Sequence, residues 1–206
     1  LADAVVVFSD GVTRDTLQNK ELHDWEHGRW YNYARYKRFE PDAAKTYTLT
    51  VTDGGKRTVS ASTRFSQPLV QIKQLVSKPL EQEQGGFSVG VVIPDPPETE
   101  NFYRLMIARK LNDFNASSTD VYMSDLSFNG QSFSVFSKEG YAKGDTVTVR
   151  LYSLQKEHYD YIQSVNGARL SNFNPLVQPS KIRSNIEGGV GIFAAIRYDQ
   201  KQIVIR

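Results

Sequence analysis

The chain has 206 residues, 39% of them hydrophobic and 23% charged, which suffices for one large domain or two small ones and excludes a disordered polymer. A formal charge of +2 is too small to mark a nucleic-acid or anionic-membrane binder. No cysteine is present, so disulfides, thiolate catalysis and cysteine zinc sites are excluded, and no apolar run reaches the roughly 18 residues that would cross a bilayer as a helix.

Strand signals dominate the chain order. Ala4-Val5-Val6-Val7-Phe8 is a short apolar run closed by the turn residues Ser9-Asp10-Gly11. Thr46 to Val51 alternates Thr with larger side chains, Asp53-Gly54-Gly55 supplies a tight turn, and Arg57 to Thr63 returns, which predicts a hairpin. Ser66-Gln67-Pro68 reads as a domain boundary. Beyond it, strands are expected over Leu69–Val76, Phe87–Ile93, Phe102–Ile107, Ser132–Phe136, Thr146–Tyr152, Gly191–Tyr198 and Gln202–Ile205, with a polar loop over Lys78–Gly86. Pro94, Pro96 and Pro97 close the second of these, because proline cannot donate to a ladder. One helix is expected near 154–165, capped by Ser153 and stopped by Asn166-Gly167, with Leu154, Tyr161, Ile162 and Val165 on one face. Strands and helices do not alternate, which argues against a doubly wound α/β enzyme.

These signals predict an all-β protein in two β-sandwich-like parts. Residues 1–66 form an immunoglobulin-like domain, truncated at its N-terminus, and residues 67–206 a larger β-sandwich with one short helix. The chain opens on Leu1-Ala2-Asp3 without Met, so it reads as a trimmed or processed fragment, with any targeting signal or lipid anchor expected in the precursor.

Catalytic patterns are weak. His23-Asp24-Trp25-Glu26-His27 matches H-x-x-E-H, but that chemistry needs a helix and a third ligand, and Gly28 with Trp30 to Tyr36 follows at once. Ser153 to Lys156 matches S-x-x-K without its companion motifs. Asp95–Asn101 and Asp125–Gly130 are oxygen-rich loops without EF-hand spacing, and their residue types are those of turns. The expectation is no enzyme, no catalytic residue, no metal and no cofactor. The segment Trp25 to Phe39 is more informative. Trp25, Trp30, Tyr31, Tyr33, Tyr36 and Phe39 alternate with Arg29, Arg35, Lys37 and Arg38. Alternate strand positions would send some rings to the core. The others would form an exposed aromatic and cationic patch for a partner, a peptide or a sugar ring. Trp25, Trp30, Tyr31, Tyr33 and Tyr36 are therefore the candidate partner-binding residues.

The C-terminal stretch Asn174-Pro175-Leu176-Val177-Gln178-Pro179, followed by Ser184-Asn185-Ile186-Glu187-Gly188-Gly189-Val190-Gly191-Ile192-Phe193-Ala194-Ala195, resembles the signature of domain-of-unknown-function family 4249 from Bacteroidota. Asp95-Pro96 with Asn101 to Arg104, Ser124-Asp125 through Asn129-Gly130, Gly144 to Val149 and Tyr159 to Ile162 agree with it in order, as does the hairpin of residues 46–63. The resemblance implies a non-enzymatic lipoprotein at the outer membrane or cell surface. The precursor would be lipid-anchored, and the role accessory to nutrient uptake beside a TonB-dependent receptor. A glycan- or peptide-adhesion module without a transporter is the alternative. Within the signature, Gly188-Gly189 suits positive φ or a bulge, Gly191 close packing, and Asn185 a side-chain bond to neighbouring backbone.

Overall fold

The computed structural model describes residues 3–24, 29–35, 39–54, 57–80, 86–109, 119–173 and 181–206. Among them the fold is all-β, with three antiparallel sheets of five, three and four strands and one helix. The residues cluster into two compact units. The first takes Leu1–His23, Trp30–Ser66 and Gln155–Ala195, and the second is built mainly on Gln67–Leu154 and Ile196–Arg206. The units are thus interleaved, unlike the consecutive segments 1–66 and 67–206 read from the sequence. Local patterning marks where strands lie but not which sheet a later segment packs on.

In the first unit, β1 (Ala4–Ser9), β2 (Arg14–Asp24), β3 (Arg29–Ala34), β4 (Tyr47–Asp53) and β5 (Arg57–Thr63) lie in the order β3-β2-β1-β4-β5. The register explains why this sequence makes one apolar face. Val6 pairs with Leu17 and Val51, Val51 with Val59, Phe8 with Leu49, and Leu49 with Ala61. Period-two alternation then sends Thr48, Thr50, Thr52, Thr58, Ser60 and Ser62 to the opposite face. The turn from β1 to β2 is held by Asp10, whose carboxylate accepts from the Val12 and Thr13 amides at 3.0 and 2.6 Å and meets Lys45 Nζ at 2.7 Å. The Lys45 bond, then those amides, hold the Asp10 carboxyl well below the usual carboxylate range. β2 was not expected from the sequence, because only Leu17 and Leu22 interrupt its polar run.

The helix α1 (Lys156–Phe173) also belongs to this unit. It runs straight through Asn166-Gly167, and Gly167 does not take the positive φ that a C-terminal cap would require. Glycine there weakens the helix by about 1 kcal/mol but does not stop it. Nor does Ser153 cap it. Ser153 lies in a buried strand of the second unit, and its hydroxyl accepts from the Val70 amide at 3.2 Å.

The second unit holds β6 (Gln74–Pro79), β7 (Phe87–Ile93), β8 (Phe102–Ala108), β9 (Thr119–Ser124), β10 (Phe133–Phe136), β11 (Thr146–Leu154) and β12 (Arg197–Val204). They form the sheets β10-β7-β6 and β12-β11-β8-β9. Val89, Val91 and Ile93 of the first sheet pack with Tyr103, Leu105, Ile107, Val147, Val149 and Leu151 of the second, so the core lies between two sheets as in a sandwich. Residues 69–73 were expected as strand. Val70 and Ile72 are buried there, but their amides bond to the Ser153 hydroxyl and to the Asp199 carboxylate (2.8 Å) rather than to a ladder. Residues 191–196, also expected as strand, lie before β12.

β11 is buried on both faces. Val147, Val149 and Leu151 enter the core, and the other face is closed by a lattice of arginines and tyrosines. Arg104 binds Asp120 through two nitrogens, at 2.8 and 2.7 Å, and lies over the rings of Tyr122 and Tyr152. Arg150, only 2% exposed, lies 4.6 Å from the Tyr198 ring centroid and donates to Gln200 Oε1 at 2.8 and 2.6 Å. A planar guanidinium can stack and donate at once, which permits its burial.

Two buried carboxylates pin the loops of this unit. Asp95 accepts from the Tyr103 hydroxyl and from the Gly130 amide at 2.9 Å. Asp125 accepts from the Asn101 amide at 2.7 Å and from Asn101 Nδ2 at 3.2 Å, and Nδ2 also donates to Thr99 and Pro96 carbonyls. Burial, then Asp95 and Asp125, push the Tyr103 phenol up, and burial likewise pushes Tyr141 up to about 12. Above the unfolded tyrosine value near 10 the unfolded chain releases these protons first, so stability falls as pH rises from there. We expect Tyr103→Phe to cost about 1–3 kcal/mol at neutral pH, through the donor lost to Asp95, and to flatten the alkaline loss. Urea unfolding at pH 7 and above pH 10 checks both, and an unchanged alkaline slope would contradict the assignment.

Candidate functional site

Among the described residues β3 is an edge strand of the five-stranded sheet, with one row of its backbone groups outside that sheet's ladders. It carries three of the five aromatic residues singled out from the sequence. Trp30 is 64% exposed and Tyr31 39% exposed, and the Trp30 ring lies 4.5 Å from the His23 imidazole at the end of β2. Tyr33 is half-buried and donates its hydroxyl to the Ala4 carbonyl at 3.0 Å. Trp25 and Tyr36 lie outside the described residues, as do Glu26 and His27 of the H-x-x-E-H match. Two large rings on an open strand edge can add a partner's strand through the backbone and anchor it through the rings.

A second feature of the same unit was not foreseen. A cavity of about 240 Å³ opens on the apolar face of the sheet. Its walls include Phe8, Leu17, Phe39, Tyr47, Phe65 and Phe193. Four of these rings pack on one another: Phe8 on Phe39 at 5.4 Å and on Tyr47 at 5.7 Å, Phe39 on Tyr47 at 5.1 Å, and Tyr47 on Phe65 at 5.7 Å. Arg35 lies 5.9 and 5.6 Å from the Phe8 and Phe39 ring centroids, and its Nε meets the Asp15 carboxylate at 2.7 Å.

The C-terminal block builds one wall of this cavity. Asn185 Nδ2 donates to the Phe193 carbonyl at 2.8 Å, and Asn185 Oδ1 accepts from the Phe193 amide at 2.9 Å. Ser184 Oγ accepts from the Ile186 and Gly191 amides, each at 3.1 Å. Glu187 exchanges two backbone bonds with Ser60, at 2.8 and 3.2 Å, so the loop docks on the outer edge of β5. Gly188 takes φ of +77°, and a Cβ there would stand 3.2 Å from the Thr58 carbonyl, so both conformation and space select glycine. The Ala195 amide then donates to Thr63 Oγ1 at 3.1 Å and Gln155 Oε1 at 2.9 Å, while Thr63 Oγ1 donates to Gln155 Oε1 at 2.8 Å. Gln155 Nε2 donates to the Arg64 carbonyl at 2.7 Å.

The remaining sequence candidates have local work. Lys156 pairs with Asp160 at 3.3 Å, one helical turn on, and Asp160 also meets Arg183 at 2.7 Å. The oxygen-rich loops around Asp95 and Asp125 spend their carboxylates on amide and hydroxyl donors, as described above. The cavity was missed because its lining is drawn from residues 8 to 195. The signal that could have found it is the recurrence of aromatics at Phe8 on β1, Tyr47 on β4, Phe65 just past β5 and Phe39 in the β3–β4 connection, of which the register brings the first two to one face.

The geometry is that of an all-β protein with an aromatic strand edge and an aromatic-walled cavity. The chain belongs to the family described as domain of unknown function (DUF4249), whose model matches residues 2–202. No curated protein and no solved structure matches it. Within residues 184–195, Ser184, Asn185 and Glu187 hold the segment through the bonds above, and Phe193, Ala194 and Ala195 line the cavity. We expect Asn185→Ala to destabilise the first unit by about 1–3 kcal/mol, because both Phe193 backbone groups lose their partner. Chemical denaturation of the variant checks this, and a loss within about 0.5 kcal/mol, typical of a plain surface change, would contradict it.

Proposed function

We propose that the chain is a non-enzymatic binding module of a lipid-anchored protein at the bacterial outer membrane or cell surface, accessory to nutrient uptake. A TonB-dependent receptor is the proposed partner. Membership of the family supports this reading through the context in which its members are expected. The observation that carries the binding role is the exposed pair Trp30 and Tyr31 on the open edge of β3. Rings left this accessible are costly in water and are favoured residues of contact hot spots. The adjoining Tyr33 hydrogen bond and the His23 contact hold the strand in place, so association orders little that is not already ordered.

The test is affinity purification of the full-length lipoprotein from its native outer membrane, with the co-purifying receptor identified by mass spectrometry. Trp30→Ala is expected to weaken receptor retention by about 2 kcal/mol or more, roughly thirty-fold, with Tyr31→Ala weaker in the same direction. Circular dichroism of each variant separates loss of contact from loss of fold. Unchanged retention in both variants would leave these rings as packing and remove the proposed interface.

A further inference from the structure

We infer that the cavity on the inner face of the five-stranded sheet binds a neutral arene of one or two rings bearing a single hydrogen-bond acceptor. This site is independent of the β3 edge. Its size sets the first limit. A cavity of about 240 Å³ exceeds the engineered apolar cavities of about 150 Å³ that take benzene, and so leaves room for a second fused ring. Its lining sets the second. Phe8, Leu17, Phe39, Phe65 and Phe193 offer carbon, and aromatic walls favour an aromatic guest through offset and edge-to-face contacts.

The polar groups of the lining decide the rest. The Thr63 hydroxyl is occupied as donor by Gln155 and as acceptor by the Ala195 amide. The Tyr47 hydroxyl accepts from the Asp42 amide at 2.7 Å and faces the Asp42 carbonyl at 3.3 Å. Neither recognises a ligand without losing a bond it already makes. Arg35 differs. Its side chain is 28% exposed, its Nε faces Asp15, and its terminal amino groups have no hydrogen-bond partner among the described residues. A guanidinium fork with free N–H groups over two aromatic rings donates to an acceptor on a ring stacked below it. Asp15 already balances its charge, so a carbonyl or carboxamide oxygen fits better than a full anion, which would meet the Asp15 carboxylate.

Titration calorimetry of the intact chain with 2-naphthamide tests the assignment, with 2-naphthoate as the anionic comparison. We expect one saturable site with a Kd below about 1 mM, and naphthoate weaker by on the order of ten-fold. Ala194→Leu, which adds volume to the lining, should abolish binding. Arg35→Met keeps an apolar stem but no donors, and should weaken naphthamide roughly ten-fold, the worth of one good hydrogen bond. Arg35 is partly exposed, so that variant stays informative where Ala194→Leu fails to fold by circular dichroism. Trp30→Ala should leave the naphthamide Kd unchanged, which separates this site from the strand edge. No saturable binding, tighter binding of naphthoate, or unchanged binding in Arg35→Met would overturn the assignment.

Discussion

The first unit depends on one polar node. The Ala195 amide reaches both Thr63 Oγ1 and Gln155 Oε1, and those two side chains bond to each other. The segment before Ala195 is mostly irregular, so its backbone groups cannot rely on a repeating ladder. A buried amide without a partner costs about as much as a lost hydrogen bond, so the segment stays on the sheet only where side chains supply partners. Gln155 is suited to this, since an amide side chain accepts through its oxygen while its nitrogen holds the Arg64 carbonyl. Asn185 repeats the device at Phe193, and Ser184 at Ile186 and Gly191. With these bonds in place Phe193, Ala194 and Ala195 stand as a wall, and the aromatic cavity exists.

The second unit uses the same economy with charged groups. Asp95 and Asp125 are buried, and each carboxylate collects donors from elsewhere in the chain: the Gly130 loop amide and the β8 Tyr103 hydroxyl for one, Asn101 for the other. Burial of a carboxylate is tolerated when its lone pairs are filled this way. The oxygen-rich loops are therefore fasteners between strands of the sandwich. The Arg104 and Arg150 lattice does the corresponding work on the face of the four-stranded sheet turned away from the core, where tyrosine rings pack over the cations and carboxylate and amide oxygens accept from them.

Much of the fold was legible because it is written in local alternation. The hairpin of β4 and β5 and the apolar runs of β1, β7, β8 and β11 declare themselves through period-two patterning and turn residues. β2 and β9 did not, since polar strands at or near a sheet edge bury too little to show a pattern. The helix was legible, but its start was set two residues early, since Ser153 and Leu154 belong to β11, and it was cut short at Gly167, where the local stop signal lost to the rest of the helix. Residues 69–73 and 191–196 misled for a related reason: buried apolar residues can sit in extended chain that is bonded to side chains, as Ser153 and Asp199 hold Val70 and Ile72. Exposed rings on β3 could be anticipated by counting aromatics against the capacity of one strand face. The cavity could not, because it depends on which strands pair and on where residues 155–195 return.

The central claim is that residues 184–195 are held by side-chain bonds, so that Phe193, Ala194 and Ala195 form the cavity wall. Native-state amide hydrogen exchange of Phe193 and Ala195 tests it most directly, since each amide is bonded to a side chain and not to a ladder. The account predicts protection close to that of the β4 and β5 amides, because opening the wall requires breaking the Asn185 and Gln155 bonds together. Exchange of both amides at the rate of an exposed loop, with β4 and β5 still protected, would contradict it.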